Sequence, residues 1–413
     1  MSAARAEPLE VDVAIVGGGM VGASLALALQ GSGRRVLLIE SVPFGAAAQP
    51  SFDERTTALG NASRRIFATL GVWSEIAPEA AAIRSIHVSE AGRFGVARLT
   101  ASEQGVEAFG YVVANRRIGA ALWARLAAAP ELLLRAPAEL SEVAIAPEGV
   151  RLRLAHPTGA EEQVHARLIV AADGAQSRVR AAAGIAAAVE DYDQVAVAVN
   201  VAADQPHEGV AYERFTSSGP LAVLPLFDGS RAVIWACRPA RAAELIACDE
   251  AGFLAELQQQ FGWRAGRFVR CGRRGSYPLQ LSRAAATVGV RAALIGNAAQ
   301  ALHPVAGQGF NLGLRDAAML AEILAGSSGD AGAPELLERF GEWRARDRRG
   351  VVRFTDGLVK LFGDPRFGVS ILRNLGLLLF DLTPPAKSAL ARVSAGFAGP
   401  SPRLARGLPV RGA

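Results

Sequence analysis

The sequence predicts an α/β protein built from a discontinuous Rossmann-like domain, an inserted antiparallel-sheet domain and a C-terminal helical region. Three observations carry this. The chain opens on an apolar run, a glycine turn, a small-residue helix and a second apolar run in "VDVAIVGGGMVGASLALALQGSGRRVLLIE". The same texture returns in "ARLIVAADGAQSRVR" and again from Arg291. Between about Val195 and Pro278 it gives way to alternating stretches, "QVAVAVNV", "GPLAVLPL" and "RAVIWACR", which read as antiparallel strands.

Taken in order, Val11–Val16 reads as a buried strand, Gly17–Gly22 as a turn entering a helix, and Val36–Ile39 as the next strand, with Glu40 at its end. The strand before Asp173 and the strand "RAALIG" each end in a glycine turn followed by a helix. The expected division is 8–84, 105–184 and 284–338 for the discontinuous domain and 85–104 with 185–283 for the β-rich domain. Residues 339–399 read as helical, and 400–413 as a disordered tail because "PSPRLARGLPVRGA" is rich in Pro, Gly and Arg.

Bulk properties narrow the function. With 413 residues and 51% hydrophobic content the chain can bury more than one core. Its three cysteines are far apart and form no C-x-x-C, and its five histidines are scattered, so neither a disulfide framework nor a metal site is expected. That usage suits a reducing, cytoplasmic setting. No signal peptide is read before the first strand, and no apolar run is long enough to span a bilayer; "GVSILRNLGLLLFDL" is broken by Arg373 and Asp381.

From Arg339 onward 14 Lys/Arg face 5 Asp/Glu, while the rest of the chain is net acidic. Nucleic acid is not the expected partner, because no recognition module or interleaved stacking aromatics accompany this charge. An anionic membrane surface and a general preference for arginine both remain open as explanations.

The chemistry-bearing motifs begin with Gly17-x-Gly19-x-x-Gly22. Gly17 permits the tight turn, Gly19 lets a pyrophosphate approach the backbone, and Gly22 lets helix and strand pack closely. Glu40 lies where a ribose 2′-hydroxyl would be received. An adenine dinucleotide is therefore expected, but the fingerprint alone does not choose between NAD and FAD. Arg55 in "FDERTTALG" is a candidate for adenosine or phosphate contact, the alternative being a salt bridge with Asp53 or Glu54. Asp173-Gly174 is a second turn beside the dinucleotide, or an ordinary turn. The choice falls on FAD at "GNAAQALHPVAGQGFNLGLRD": Asn297 is placed to bond a ribityl hydroxyl, and Gly307, Gln308, Gly309 and Asn311 lead backbone amides into a helix start. Such a helix start favours the negative charge that gathers on a reduced flavin ring.

With "FDERTTALG", "IHVSEAGRFG", "GYVVANRRIGAALW", "YERFTSSGPLAVLPL", the glycine loop above and "LTPPAKSALAR", the chain resembles the flavin-dependent aromatic hydroxylases of the p-hydroxybenzoate hydroxylase group over nearly its whole length. It is most similar to the ubiquinone-biosynthesis hydroxylases. Asn297 and Gln300 replace the Asp and His usual in the last motif, a variant that resembles the 2-octaprenyl-6-methoxyphenol hydroxylase branch. Asn115 stands where many of the wider group place a flavin-contacting arginine.

The resemblance implies a p-hydroxybenzoate hydroxylase-like FAD-binding fold and an external monooxygenase. NAD(P)H, bound transiently, would reduce FAD, O2 would form a flavin C4a-hydroperoxide, and one oxygen would pass to a polyprenyl phenol. His303 and Pro304 would lie against the flavin, with a proton relay and a structural hydrogen bond both open for the histidine. Phe215, Leu221 and Pro225 would line the substrate pocket, or form plain sheet core. The basic C-terminal region would dock on the inner face of the cytoplasmic membrane and meet other ubiquinone-biosynthesis proteins. Absence of G-x-S-x-G and of a P-loop fits chemistry carried by the cofactor. A flavin dehydrogenase or prenyl-chain reductase, and a non-catalytic flavoprotein subunit, are the rival readings.

Overall fold

The computed structural model describes residues 7–43, 45, 55–303, 307–363, 381, 383, 385, 387–388, 395–396 and 401–411. The chain opens with β1 (Leu9–Val16), α1 (Met20–Ala28) and β2 (Val36–Ile39). β3 (Thr56–Gly60), α2 (Asn61–Thr69), α3 (Trp73–Ile76) and β4 (Ala81–Ile83) lead to a hairpin of β5 (Ser85–Glu90) and β6 (Val96–Thr100). β7 (Gly110–Ala114), α4 (Asn115–Ala127), β8 (Leu133–Arg135), β9 (Glu139–Ala146), β10 (Gly149–Ala155), β11 (Glu161–Ala171) and α5 (Arg178–Ala182) follow. The middle holds β12 (Ala187–Ala203), β13 (Val210–Thr216), β14 (Gly219–Pro225), β15 (Arg231–Cys237), α6 (Pro239–Ala247), α7 (Glu250–Phe261), β16 (Phe268–Cys271) and β17 (Gly275–Ala284). The last described elements are β18 (Val288–Gly289), β19 (Ala292–Leu294), β20 (Gln300–Ala301), α8 (Gln308–Ala325) and α9 (Pro334–Gly363).

The first sheet runs β18-β19-β11-β1-β2-β8, with β19, β11, β1, β2 and β8 parallel. Its strands are apolar on both faces because both are covered. Val13 and Ile15 join one core with α1, α4 and α8, whereas Val11, Ala14 and Val16 join another under the β9–β10 hairpin. β1 lies between β2 on one side and β11 on the other, so the chain reverses its direction of travel across the sheet at β1. In open parallel sheets that reversal opens a crevice at the carboxyl ends of the strands.

The second sheet runs β20-β17-β12-β15-β14-β13-β5-β6, with β16 also on β12. The early hairpin β5–β6 thus belongs with the middle of the chain. One face is closed by α6 and α7 through Val197, Leu221, Val233, Trp235, Phe253 and Leu257. The other face meets the first domain through Ala211 and Ala232 against Ile83, Phe109 and Val112. Strand β12 is irregular between Asp191 and Gln194, where Asp193 takes a φ of 51°.

The tail departs from expectation. Residues 401–411 pack on the first domain: Leu404 and Ala405 are buried in the core with α2 and α8, and the Arg403 N–H donates to Glu322 Oε2 at 2.6 Å. Two apolar residues inside an Arg/Pro/Gly-rich string suffice to dock it, which composition alone conceals. No described helix is long and apolar enough to cross a membrane. The apolar segment 371–380, assigned from sequence to membrane docking, lies outside the described residues.

Candidate active site

Three turns converge at the carboxyl ends of β1, β11 and β19. In the first, Gly17 has a φ of +103°, and a Cβ there would stand 2.4 Å from Ala172 O, so this turn packs directly on the turn carrying Asp173. A Cβ on Gly22 would stand 1.9 Å from Gly17 O, which is why helix α1 can start so close to β1. Gly19 is the N-cap of α1, with no side-chain cap and no acid in the first turn. Glu40 is buried; its Oε2 accepts from Gly18 N–H at 2.7 Å and its Oε1 from Val42 N–H at 2.9 Å. Gly18, unremarked in the sequence reading, is as constrained as its neighbours: its Cβ would meet the Trp123 ring at 2.7 Å and Glu40 Cβ at 2.8 Å.

In the second turn Gly174 has a φ of +85° and faces open space. Asp173 Oδ2 accepts from Val179 N–H at 3.2 Å, fastening the turn to α5. The third turn, Gly296–Gln300, is held from behind. Asp316 Oδ2 accepts from Gly296 N–H and from Gln300 Nε2, both at 2.9 Å, while Asp316 Oδ1 pairs with Arg344 Nε of α9 at 2.5 Å. Both ions of this pair are fully buried. Gln300 therefore points into the protein, and Asn297 on the same turn is exposed. Gly313 lets α8 touch this turn, since its Cβ would lie 2.9 Å from Gly296 Cα.

Helix α8 begins at Gly307, φ +58°, again with no side-chain cap and no acid in its first turn. Gln308 is buried, and a Cβ on Gly309 would meet nothing within 4 Å. Asn311, expected at the cofactor, is instead a clamp within the protein. Its Oδ1 accepts from Gly60 N–H and Ser63 Oγ, and its Nδ2 donates to Ala58 O and Gly307 O. All four hydrogen-bonding positions of the amide are thereby occupied. Pro304, Asp53 and Glu54 lie outside the described residues.

The second sheet supplies the facing side. His303 is buried, with its Nε2 3.2 Å from Gln194 Oε1 and its ring edge-on to Tyr192. Burial lowers its pKa to about 4, so the imidazole is neutral at ordinary pH. Neither Gln194 nor Tyr192 was legible beforehand, because both stand at the β12 irregularity. Arg55 lies over the Tyr277 ring at 5.3 Å, bringing the two domains together, and its carbonyl accepts from Asn115 N–H. Asn115 Oδ1 accepts from Thr57 Oγ1 at 2.7 Å.

Strand parity corrects part of the substrate expectation. Leu221 sits in the core beneath α6 and α7, and Pro225 shares its parity, so both belong to the face turned away from the first domain. Phe215 pairs with Pro220 and falls on the opposite face, with Ala222, Leu224 and Ile234. Those last three are only half-buried and present an apolar floor to the first domain.

Of the helix starts that lack a side-chain cap, those of α1 and α8 stand at these turns and leave their first N–H groups for an external anionic or acceptor group. A Cβ-free approach at Gly174 and Gly309 leaves room for a flat ligand, so these residues fit a flavin dinucleotide. A family model described as the FAD binding domain matches residues 10–355. The ubiquinone hydroxylase UbiL of Rhodospirillum rubrum is 37% identical, with 97% of this chain and 93% of that protein covered. The chain belongs to the ubiquinone-hydroxylase family of FAD-dependent monooxygenases. This flavoenzyme is also 35% identical to the 3-demethoxyubiquinol 3-hydroxylase of Escherichia coli, over 94% of the chain and 98% of the relative. Its fold is shared with p-nitrophenol 4-monooxygenase PnpA of Pseudomonas putida DLL-E4, at a TM-score of 0.78 and 20% identity, covering 95% of this chain and 99% of that one. Among the described residues the flavoenzyme has no group of three or more His, Cys, Asp or Glu that would hold a metal ion.

Proposed function

We propose that this monooxygenase hydroxylates the aromatic ring of a polyprenyl phenol in ubiquinone biosynthesis, with NAD(P)H as transient reductant and O2 as oxygen source. The observation that carries the reading is the pair of uncapped helix starts, α1 and α8, set beside one half-buried apolar sheet face. In this reading Gly17, Gly19 and Gly22 admit the FAD pyrophosphate to the start of α1, and Glu40 keeps lone pairs for the ribose beyond the two N–H groups it already accepts. Arg55, Asn115, Asp173, Gly174 and Asn297 border the remainder, and Gly307, Gln308 and Gly309 face the ring. When bound, FAD supplies the transfer of electrons and the activation of O2.

The chain's own residues position and insulate. The N-terminus of α8 favours negative charge at the ring edge. His303, neutral and tied to Gln194, orients groups by a hydrogen bond and carries no charge to a phenol at neutral pH. Ala222, Leu224, Ile234 and Phe215 exclude water from the aromatic ring and accept an apolar tail.

For the ring position we favour 2-polyprenyl-6-methoxyphenol, supported by the Gly296-Asn297-Ala298-Ala299-Gln300 spelling. A second reading, the position hydroxylated in 3-demethoxyubiquinol, is favoured by the identity to the Escherichia coli relative. The test is NAD(P)H oxidation with a panel of short-chain phenols differing in ring substitution, each product analysed by mass spectrometry. Stimulation by the 6-methoxyphenol with a product heavier by one oxygen supports the first reading. Stimulation by the demethoxyubiquinol alone replaces it with the second, and FAD-loaded protein stimulated by no phenol overturns both.

A further inference from the structure

The outer face of the second sheet carries an open cavity on β5, β6 and β13, elements that take no part in the three turns. Strand register builds it: Arg98 of β6, His87 of β5 and Tyr212 of β13 form one cross-strand row, and Thr100, Ser85 and Val210 form the next. Arg264, from the loop after α7, closes the cavity, whose volume is ≈ 340 Å³. This row has the parity opposite to Ala211 and Phe215, so it looks away from the first domain.

The charged side chains of the lining are all basic. Arg264 Nη1 lies 3.2 Å from His87 Nε2, and since a guanidinium only donates, that nitrogen accepts. His87 is 7% exposed and its Nδ1 has no partner among the described residues. Its pKa is lowered to about 4 by burial first, then by Arg264 and Arg98. Arg214 and the buried Arg231 act on the same group of side chains, and Arg231 Nε and Nη1 likewise lack partners among the described residues. No carboxylate lines the cavity. Three carboxylates act on this group from outside the lining: Asp381, paired with Lys387 and accepting from the Arg98 backbone N–H, acts on Arg98; Asp204, paired with Arg267, acts on Arg231; and Glu208 acts on Tyr212. The polar side chains of the lining are therefore two exposed guanidiniums, the hydroxyls of Ser85 and Thr100, and the Tyr212 hydroxyl, which donates to Arg264 O, around a neutral imidazole. That is the donor set that a phosphate group satisfies.

We propose that this cavity binds the phosphate headgroup of an anionic phospholipid, with the side chain of Trp263 entering the bilayer interface beside it. The lipid, rather than a free phosphate, is indicated by what surrounds the cavity. Trp263 is 70% exposed immediately before Arg264, Val269 is 47% exposed, and Arg267 and Arg270 are exposed between and after them. An exposed indole among arginines is the pattern of an interfacial anchor and serves no purpose for a soluble ion. The proposal stands on these side chains and is independent of which phenol is hydroxylated.

The experiment is co-flotation of the full-length, FAD-loaded protein with phosphatidylcholine vesicles containing or lacking phosphatidylglycerol. Wild type is expected to float only with the anionic vesicles. Replacing both Arg98→Gln and Arg264→Gln is expected to cut the bound fraction roughly tenfold or more at unchanged flavin absorbance. Trp263→Ser, at a largely exposed position outside the lining, is expected to cut it several-fold without touching the cavity. Arg35→Gln together with Arg151→Gln, two exposed arginines outside the cavity lining and thus a change of equal charge, is expected to have no effect. Equal flotation of wild type and the Arg98/Arg264 variant, or an equal loss in the Arg35/Arg151 variant, would overturn the site. Inorganic phosphate raising the Tm of wild type but not of the Arg98/Arg264 variant, with neither vesicle bound, would assign the cavity to a soluble anion and overturn the lipid.

Discussion

At the scale of single residues, the Gly17–Gly22 turn is governed by contacts that leave no room for a side chain. Gly22→Ala would drive a methyl into Gly17 O, 1.9 Å from its ideal position. The purified variant is expected to lack FAD, read as flavin absorbance per polypeptide; a normally yellow variant would contradict the assignment of this turn. The histidine makes a prediction in pH. Folded His303 stays neutral down to about 4, whereas in the unfolded chain it protonates near 6.5. The unfolded state therefore binds more protons in that window, and the stability present above 6.5 is lost as pH falls toward 4. Between pH 7 and pH 5 the loss is roughly 2 kcal/mol. Urea unfolding at the two values checks it, and His303→Asn should flatten the dependence by that share. Gly17, Gly19, Gly22 and Glu40 were legible because a strand, a turn and a helix follow one another in sequence. Gln194 and Tyr192 were not, because an irregularity in β12 places them beside His303 and no local pattern marks it.

At the scale of elements, the outcome turns on strand parity. The β-rich stretches are strongly enough patterned to be read as strands, yet the pattern does not say which face meets the first domain. Leu221 and Pro225 fell on the face covered by α6 and α7, and the half-buried Ala222 and Leu224 on the other. Leu221→Ala is thus expected to destabilise by about 2–5 kcal/mol in thermal or urea unfolding while leaving KM for the phenol unchanged. Ala222→Phe is expected to do the reverse, raising KM roughly tenfold by crowding the floor at little cost in stability. A shared effect of both on KM would place the substrate elsewhere. Asn311 shows the same limit in a loop-to-helix setting: an amide beside a glycine loop reads as a ligand, but its four partners come from β3, α2 and the start of α8, which only the tertiary structure assembles.

Across the whole molecule, the site is supported from a distance. Arg344 of α9 reaches Asp316 of α8, and Asp316 holds the Gly296–Gln300 turn, so residues far apart in sequence fix one loop. Removing one member leaves the other charged and buried, which costs about 3–5 kcal/mol. Arg344→Leu should therefore lower stability by that amount and loosen FAD binding, measured by flavin release on dilution. The tail docks with Leu404 and Ala405 in the core with α2 and α8, and its arginine-rich composition gave no hint of it. Domain class and cofactor were legible because their signals are local runs of residues, whereas the buried ionic tie and the tail depend on pairings between distant segments. The most direct test of the monooxygenase reaction is turnover of the FAD-loaded protein with a short-chain polyprenyl phenol under isotopically labelled O2. One labelled oxygen is expected in the ring hydroxyl for each NAD(P)H oxidised. A reduced or dehydrogenated product without label, or no product at all from a fully loaded enzyme given the whole phenol panel, would contradict it.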